Sequence, residues 1–369
     1  MRRAGTAAAD APGRPRRQVL LVGKGPPEVG GIPAYLTAVL DSRLAETYEL
    51  SLCNLTDDAS AEGGRLSAEN LRRMWRDLRR VWRAASGRDV VHIHTALAPT
   101  VTCLRAGALA ALARLRAPRV IVHIHGGLVA SWMVGRVRRA AARAALAPAT
   151  SIVTVCAAGE QAVTELIGPT KVELVDNGID VHRVPARAAR SDVVPRVVFA
   201  GLLSERKGLL ELFEASRRLH REGLVHELVV AGGNHEEGPA EEARMRQAGA
   251  DVATFTGQLD RAEVMELLTS SDVLCLPSWV EAMPLILLEA MAAGVAVVAS
   301  EVGDIPRVVI DGETGRLVPP RDTDALVDAL RSLLQDAEGR ARLASAGREH
   351  VATSFSLDRT LSALDRLYR

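Results

Sequence analysis

Short apolar, β-branched runs alternate along the chain with longer Ala/Leu/Arg stretches of helical period, which is the pattern of βαβ units and a parallel sheet. Strands are predicted in the first half at 18–22, 48–53, 89–94, 119–125, 151–156 and 171–175. After Asp180 the segment VHRVPARAARSDVVP, rich in Arg, Ala and Pro, has no clear period and marks a linker. The strand pattern then restarts at 196–201, 226–232, 253–257, 272–277 and 295–300. The fold class is therefore α/β, with two doubly wound domains. In such sheets ligands bind beyond the carboxyl ends of the strands, so the residues just after each strand are the candidates for chemistry.

The 369 residues exceed the roughly 250–300 at which single cores stop growing, which agrees with two domains. With 48% apolar residues and a net charge of +1, the chain reads as soluble and globular, with no nucleic-acid partner. Aromatics at 3% argue against a base-stacking platform. Cys53, Cys103, Cys156 and Cys275 are scattered singly, as free thiols of a reducing compartment are. The first 17 residues lack an apolar signal core and read as a disordered basic tail. No apolar run approaches the ~18 residues of a membrane span, so the expected location is cytoplasmic, at most peripheral on the inner face of the membrane. VGKGPPEVGG puts prolines where a dinucleotide-binding turn needs glycine, and neither Lys24 nor Lys207 stands in a P-loop.

WVEAMPLILLEAMAAGVAVVAS, residues 279–300, is the oiliest stretch and yet carries Glu281 and Glu289. The strand before it ends at Pro277, which leaves Glu281 in a loop at the ligand edge. A helix is predicted to start at Pro284 and stop at Gly294, with Glu289 in its middle. A carboxylate in so apolar a helix needs donors, and a partnered core glutamate would answer that need as a ligand would. The helix start offers free amides and a positive dipole end to a phosphate, and Glu289 lies one to two turns on, where a sugar's vicinal hydroxyls could bind. A nucleotide diphosphate sugar presents both groups.

The spacing E-x7-E within LPSWVEAMPLILLEAMAAGVAVVAS, followed by GDIPRVVIDGETGRLVPP, resembles the retaining glycosyltransferases of family 4. The resemblance covers nearly the whole chain after the tail and is strongest over 196–320. It implies the GT-B fold, in which two Rossmann-like domains face a central cleft. It also implies a metal-independent hexosyltransferase without cofactor, whose donor is a nucleotide diphosphate sugar, a UDP-sugar ahead of a GDP-sugar. The acceptor would be a hydroxyl of a saccharide or a lipid-linked glycan, in polysaccharide or cell-envelope glycan synthesis. By the resemblance Glu289 holds the nucleotide ribose and Glu281 lies near the transferred sugar. The amides of Ala282, Met283 and Leu285 face sugar and phosphates, and the strand end at Gly257 receives the base. Gly30 and Gly31 line the donor phosphates from the first domain, and His125 touches the donor sugar. The family motif G-R-L-x-x-x-K-G becomes GLLSERKG here, so Lys207 carries over as the diphosphate cation, Leu202 replaces the arginine, and Arg206 stands in for it. On local grounds alone, Arg206 and Lys207 read equally as solvated charges. Catalytic roles are thereby assigned to Glu281, His125 and Lys207, and no metal ligand is assigned.

The resulting division is a tail at 1–17, an acceptor-side domain at 18–182, a linker at 183–195, a donor domain at 196–356, and a final helix at 357–369. By the resemblance that helix crosses back toward the first domain. His92 and His123 read as hydrogen-bonded core histidines, whereas His94 and His125 lie at the ligand edge. NGID at 177–180 reads as a structural turn. NLRRMWRDLRRVWRAA places Leu71, Met74, Trp75, Leu78, Val81 and Trp82 on one face opposite six arginines. Such a helix packs on its own sheet or lies on an anionic membrane surface. A sugar-nucleotide epimerase of the same fold and a non-catalytic sugar-nucleotide-binding protein at a membrane surface remain the alternatives to transfer.

Overall fold

The computed structural model describes residues 15–56, 68–187, 194–233 and 238–369. The tail at 1–14 and the middle of the linker at 188–193 lie outside them. The first sheet contains β1 (Gln18–Gly23), β2 (Glu49–Asn54), β3 (Val90–Thr95), β4 (Arg119–Ile124), β5 (Ser151–Thr154) and β6 (Val172–Leu174), in the order β2-β1-β3-β4-β5-β6. The second contains β7 (Arg196–Ala200), β8 (Glu227–Ala231), β9 (Thr254–Gly257), β10 (Val273–Leu276), β11 (Ala296–Ser300) and β12 (Arg316–Val318), in the order β12-β11-β10-β7-β8-β9. All named pairings are parallel, and the central strands are buried throughout, because helices cover both faces. Strand order reverses between β1 and β3 and again between β7 and β10. These switch points open the crevices in which ligands of such sheets bind. The two-domain α/β fold class is thus as the sequence pattern indicates. Only β12, three residues long, has no counterpart among the predicted strands.

Domain edges differ from the sequence reading. Arg16 and Arg17, assigned to the tail, are anchored: Arg16 donates to the Ala45 carbonyl at 3.0 Å and Arg17 to that of Tyr368 at 3.0 Å. Ile179, Val181 and Val184 are buried in the core of the second domain, so the segment that joins the domains packs on the second core. Within the predicted linker, Arg187 donates to the Ser271 carbonyl at 2.6 Å and pairs with Asp272. The final helix, Leu357–Tyr368, buries Leu361, Leu364 and Tyr368 against Val19 and Leu21 of β1.

The arginine-rich helix spans Ala68–Ala84, and its apolar positions do not share one environment. Val81 is fully buried, but Trp75 is 64% exposed and Trp82 is exposed as well, with the Arg116 guanidinium 3.6 Å above its ring. The polar Asp77 is buried instead, paired with Arg105 at 2.6 Å. Among the described residues no helix is long and apolar enough to cross a membrane.

Candidate active site

Glu281 sits where two loops of the second domain meet. Beyond β7 the chain makes a single tight turn at Glu205–Lys207 and enters the helix Leu209–Arg221 through Gly208. Gly208 has φ +72°, and a Cβ there would overlap the Pro277 carbonyl oxygen, so only glycine lets this turn close on the loop that follows β10. The close approach brings Lys207 Nζ within 2.6 Å of Glu281 Oε1, which also accepts from the Ser278 hydroxyl at 2.8 Å. Both charged side chains are mostly buried, at 14% and 9% exposure. The Trp279 amide donates to the Arg206 carbonyl at 2.8 Å and ties the loops a second time.

The next helix runs Leu285–Ala293, one residue later than predicted, with Pro284 as its cap and Gly294 ending it at φ +78°. Glu289 is buried among its apolar neighbours, and burial raises its pKa, opposed by the charge of Arg261. Arg261 Nη2 lies 3.4 Å from Glu289 Oε1, and Nη1 of the same guanidinium lies 3.4 Å from the Ala34 carbonyl oxygen in the first domain. Ala34 belongs to the helix Gly31–Leu40, capped by Gly30, so one arginine links Glu289 to the helix that the glycine loop opens. Gly257 ends β9 with φ +81°, four residues before Arg261.

The same loop of the second domain leans on the first. Asn177 Nδ2 donates to the Met283 carbonyl at 2.7 Å, and Asp304 accepts the Ala157 amide at 3.0 and 3.1 Å while its own amide donates to the Ala282 carbonyl at 2.9 Å. Ala282 packs on Val155 and Cys156. Leu285 touches the cores of both domains. A Cβ on Gly127, two residues after His125, would overlap the Glu281 carbonyl group and lie 2.7 Å from the Ala282 amide nitrogen. Gly127→Ala is therefore expected to push the two domains apart at this point. Turnover should fall on the order of tenfold, less than the about 10²-fold that a 1 Å misplacement can cost, while far-ultraviolet circular dichroism stays unchanged.

His125 follows β4 and keeps partial exposure, and its Nε2 is hydrogen-bonded to His94 Nδ1 at 3.0 Å, with the donor set by the tautomer. Burial lowers the pKa of His125 to about 3. His123 is a correction: it is fully buried, yet neither ring nitrogen has a partner among the described residues.

Glu281, Lys207, Ala282, Met283, Leu285 and Glu289 thus lie on two loops and one helix of the second domain, which the first domain meets through the helix that Gly30 and Gly31 open and through Gly127 in the turn after His125. Arg206 is brought to the same loop by its backbone. Sequence reasoning missed Arg261, Ser278 and Asp304. Asp260 caps the helix that Arg261 begins, a signal that describes a helix start and says nothing of the cleft the side chain reaches.

Comparison with known proteins agrees with this architecture. Residues 43–183 match the family described as Glycosyltransferase Family 4, and residues 185–350 match Glycosyl transferases group 1. The chain is 31% identical over 290 residues to a glycogen synthase of Mycobacterium tuberculosis (strain H37Rv), covering 76% of this chain and 68% of that protein. A phosphatidyl-myo-inositol mannosyltransferase of Mycolicibacterium smegmatis is 38% identical over 197 residues, 51% of this chain and 49% of its own. Among solved structures, the sucrose-phosphate synthase of Thermosynechococcus elongatus superposes with a TM-score of 0.75 at 22% identity, covering 96% of this chain and 98% of that one. Anabaena HepE in complex with UDP-glucose superposes with a TM-score of 0.71 at 17% identity, over 95% and 99%. Two facing α/β domains, paired across the Glu281 loop, and matches that together span both halves identify the chain as a member of the family 4 glycosyltransferases of the GT-B fold.

Proposed function

We propose that this glycosyltransferase moves a hexose from a nucleotide diphosphate sugar, a UDP-sugar ahead of a GDP-sugar, to a hydroxyl of a saccharide or lipid-linked acceptor with retained anomeric configuration. The observation that carries the reading is Glu289: a carboxylate inside an apolar helix, facing the domain boundary, whose near cation Arg261 stands at 3.4 Å and is itself 46% exposed. Such an acid suits a guest that supplies two hydroxyl donors, as a ribose does. The helix start at Leu285 presents backbone N–H groups and a positive dipole end to the diphosphate. Lys207 supplies the neighbouring charge, and Gly30 and Gly31 allow close approach from the other side. Stabilisation of the departing diphosphate by these groups is the main catalytic contribution, with Glu281 and neutral His125 beside the transferred sugar and Gly257 beside the base. The UDP-glucose complex of HepE, a protein of the same fold, favours uridine among the donors.

Incubation with a panel of nucleotide sugars and a saccharide acceptor tests the reading through release of free nucleoside diphosphate. An altered sugar with no nucleotide released would instead identify an epimerase.

A membrane location is part of the proposal. The helices Ala68–Ala84, Thr100–Arg114 and Arg136–Leu146 lie side by side on one face of the first sheet. Their outer surface carries exposed Trp75, Leu104 and Val137 among Arg72, Arg79, Arg83, Arg114, Arg136 and Arg143. Between residues 71 and 148 the sequence has 15 arginines and two acids. That combination suits an anionic lipid surface, and a lipid-linked acceptor would be met there. Sedimentation with phosphatidylserine vesicles should show binding that weakens with salt. Arg79→Ala/Arg83→Ala should reduce it about 30-fold, at about 1 kcal/mol per arginine. Equal binding to neutral vesicles would count against this location.

A further inference from the structure

The register of β3 on β4 sets His94 opposite His123, and strand alternation places His92 and His125 on the same face, so four imidazoles form one block. Neighbouring ring centroids are 4.2 to 5.2 Å apart. Tyr35 covers the block from the helix Gly31–Leu40, its ring 5.1 Å from that of His123, and Tyr368 closes it from the final helix. His92 and His123 are fully buried and His94 nearly so. Even so, His92 Nε2, His94 Nε2, both nitrogens of His123 and the Tyr35 hydroxyl have no hydrogen-bond partner among the described residues. Native interiors rarely leave so many polar atoms uncompensated in one place.

We propose that His92, His94 and His123 form a binding site for a divalent first-row transition ion of the zinc class. One ring nitrogen from each lies within 4.8 Å of the others. A filled tetrahedral site, with bonds of about 2.0–2.1 Å, draws its nitrogens to about 3.4 Å, a closure that side-chain torsions supply. The outer contacts suit the role. His92 Nδ1 meets the Tyr368 hydroxyl at 2.8 Å, and His94 Nδ1 meets His125 Nε2 at 3.0 Å. With the proton on Nδ1 in both, each Nε2 turns a lone pair inward, the tautomer that ligating histidines take when their second nitrogen is tied. Three neutral imidazoles select zinc, cobalt, nickel or copper over magnesium or calcium. The Tyr35 ring packs 5.1 Å from that of His123, and its hydroxyl, also without a partner among the described residues, would offer an oxygen for a fourth position.

The ion would act at a distance from the donor diphosphate, and the inference does not rest on the proposed reaction. Binding at His94 Nε2 holds the proton on His94 Nδ1, which makes His125 Nε2 the acceptor and leaves the remaining proton of His125 on Nδ1. The buried site would thereby set the orientation and tautomer of the histidine at the domain boundary. No sequence motif announces it, because the two H-I-H triplets are joined only by the sheet.

The test uses the full-length protein, stripped with chelator, dialysed against Zn²⁺ or Co²⁺, and gel-filtered. Elemental analysis should find about one ion per chain, and the Co²⁺ form should show visible ligand-field absorption. His123→Asn should lower the retained ion at least tenfold, at the lower edge of the about 10–100-fold effects seen even for outer partners, while exposed His182→Ala retains it. His94→Gln provides a second variant should His123→Asn not fold. Wild-type protein that holds neither metal after gel filtration overturns the proposal, as does full retention by either folded variant.

Discussion

Replacing Glu289 by alanine is expected to weaken the nucleotide-sugar donor by about 10²–10⁴-fold in Kd, because in the proposed reading it accepts two hydrogen bonds, and bonds to a carboxylate contribute about 1.5–3 kcal/mol each. Isothermal titration with a nucleoside diphosphate and with its sugar should show nearly equal losses, since the contact proposed for Glu289 is to the ribose that both ligands share. Stability should move the other way in Glu289→Gln. Burial raises the folded-state pKa of Glu289, so the native chain holds a proton that the unfolded chain releases first. Wild-type stability therefore falls as pH rises from the unfolded carboxyl value, about 4.3, through the raised folded value, and is level above it. Glutamine has no such loss, so its advantage in urea midpoint should grow across that window and then stay constant. An advantage that shrinks with rising pH, or unchanged donor affinity, would show Glu289 to be an ordinary partnered core residue.

Lys207→Ala should lower turnover by about 10²–10³-fold, the usual cost of removing one group that stabilises developing charge in a shielded site. It should also destabilise the fold, by an amount that a double-mutant cycle can apportion. The side chain it leaves behind, Glu281, is 9% exposed and keeps only the Ser278 hydroxyl from its present partners. Breaking a buried pair from one side typically costs about 3–5 kcal/mol, much of it the uncompensated charge that remains. The double variant Lys207→Ala/Glu281→Ala should consequently be more stable than Lys207→Ala alone while remaining as inactive. Additive stability losses in the cycle would mean the 2.6 Å pair carries no coupling, and the proposed cationic role of Lys207 would lose its structural support.

The strands and the helix carrying Glu289 were legible in the sequence because each is set by a local pattern. Apolar β-branched runs ended within two residues of the observed strands, and the Pro284 to Gly294 interval bracketed the observed helix closely. In β12 only Leu317 and Val318 are apolar, between Arg316 and Pro319-Pro320, so no such run appears. Whether Trp75 and Trp82 pack on the sheet or face outward was not legible, for a different reason. Helical spacing gives a face but not its burial, and here Asp77 takes the inner position because Arg105 from the neighbouring helix neutralises it. That partner belongs to another element, so no window along the sequence contains both.

What the sequence by itself determined is the alternation of elements, the fold class, and the presence of an acid where only apolar residues were expected, all properties of contiguous residues. The tertiary structure alone decided which distant groups meet: Arg261 between Glu289 and Ala34, Gly127 against Glu281, and two H-I-H triplets merged into one histidine block. Those meetings depend on parallel-strand register and on how two separately patterned domains close, and neither is encoded in the spacing of any single segment.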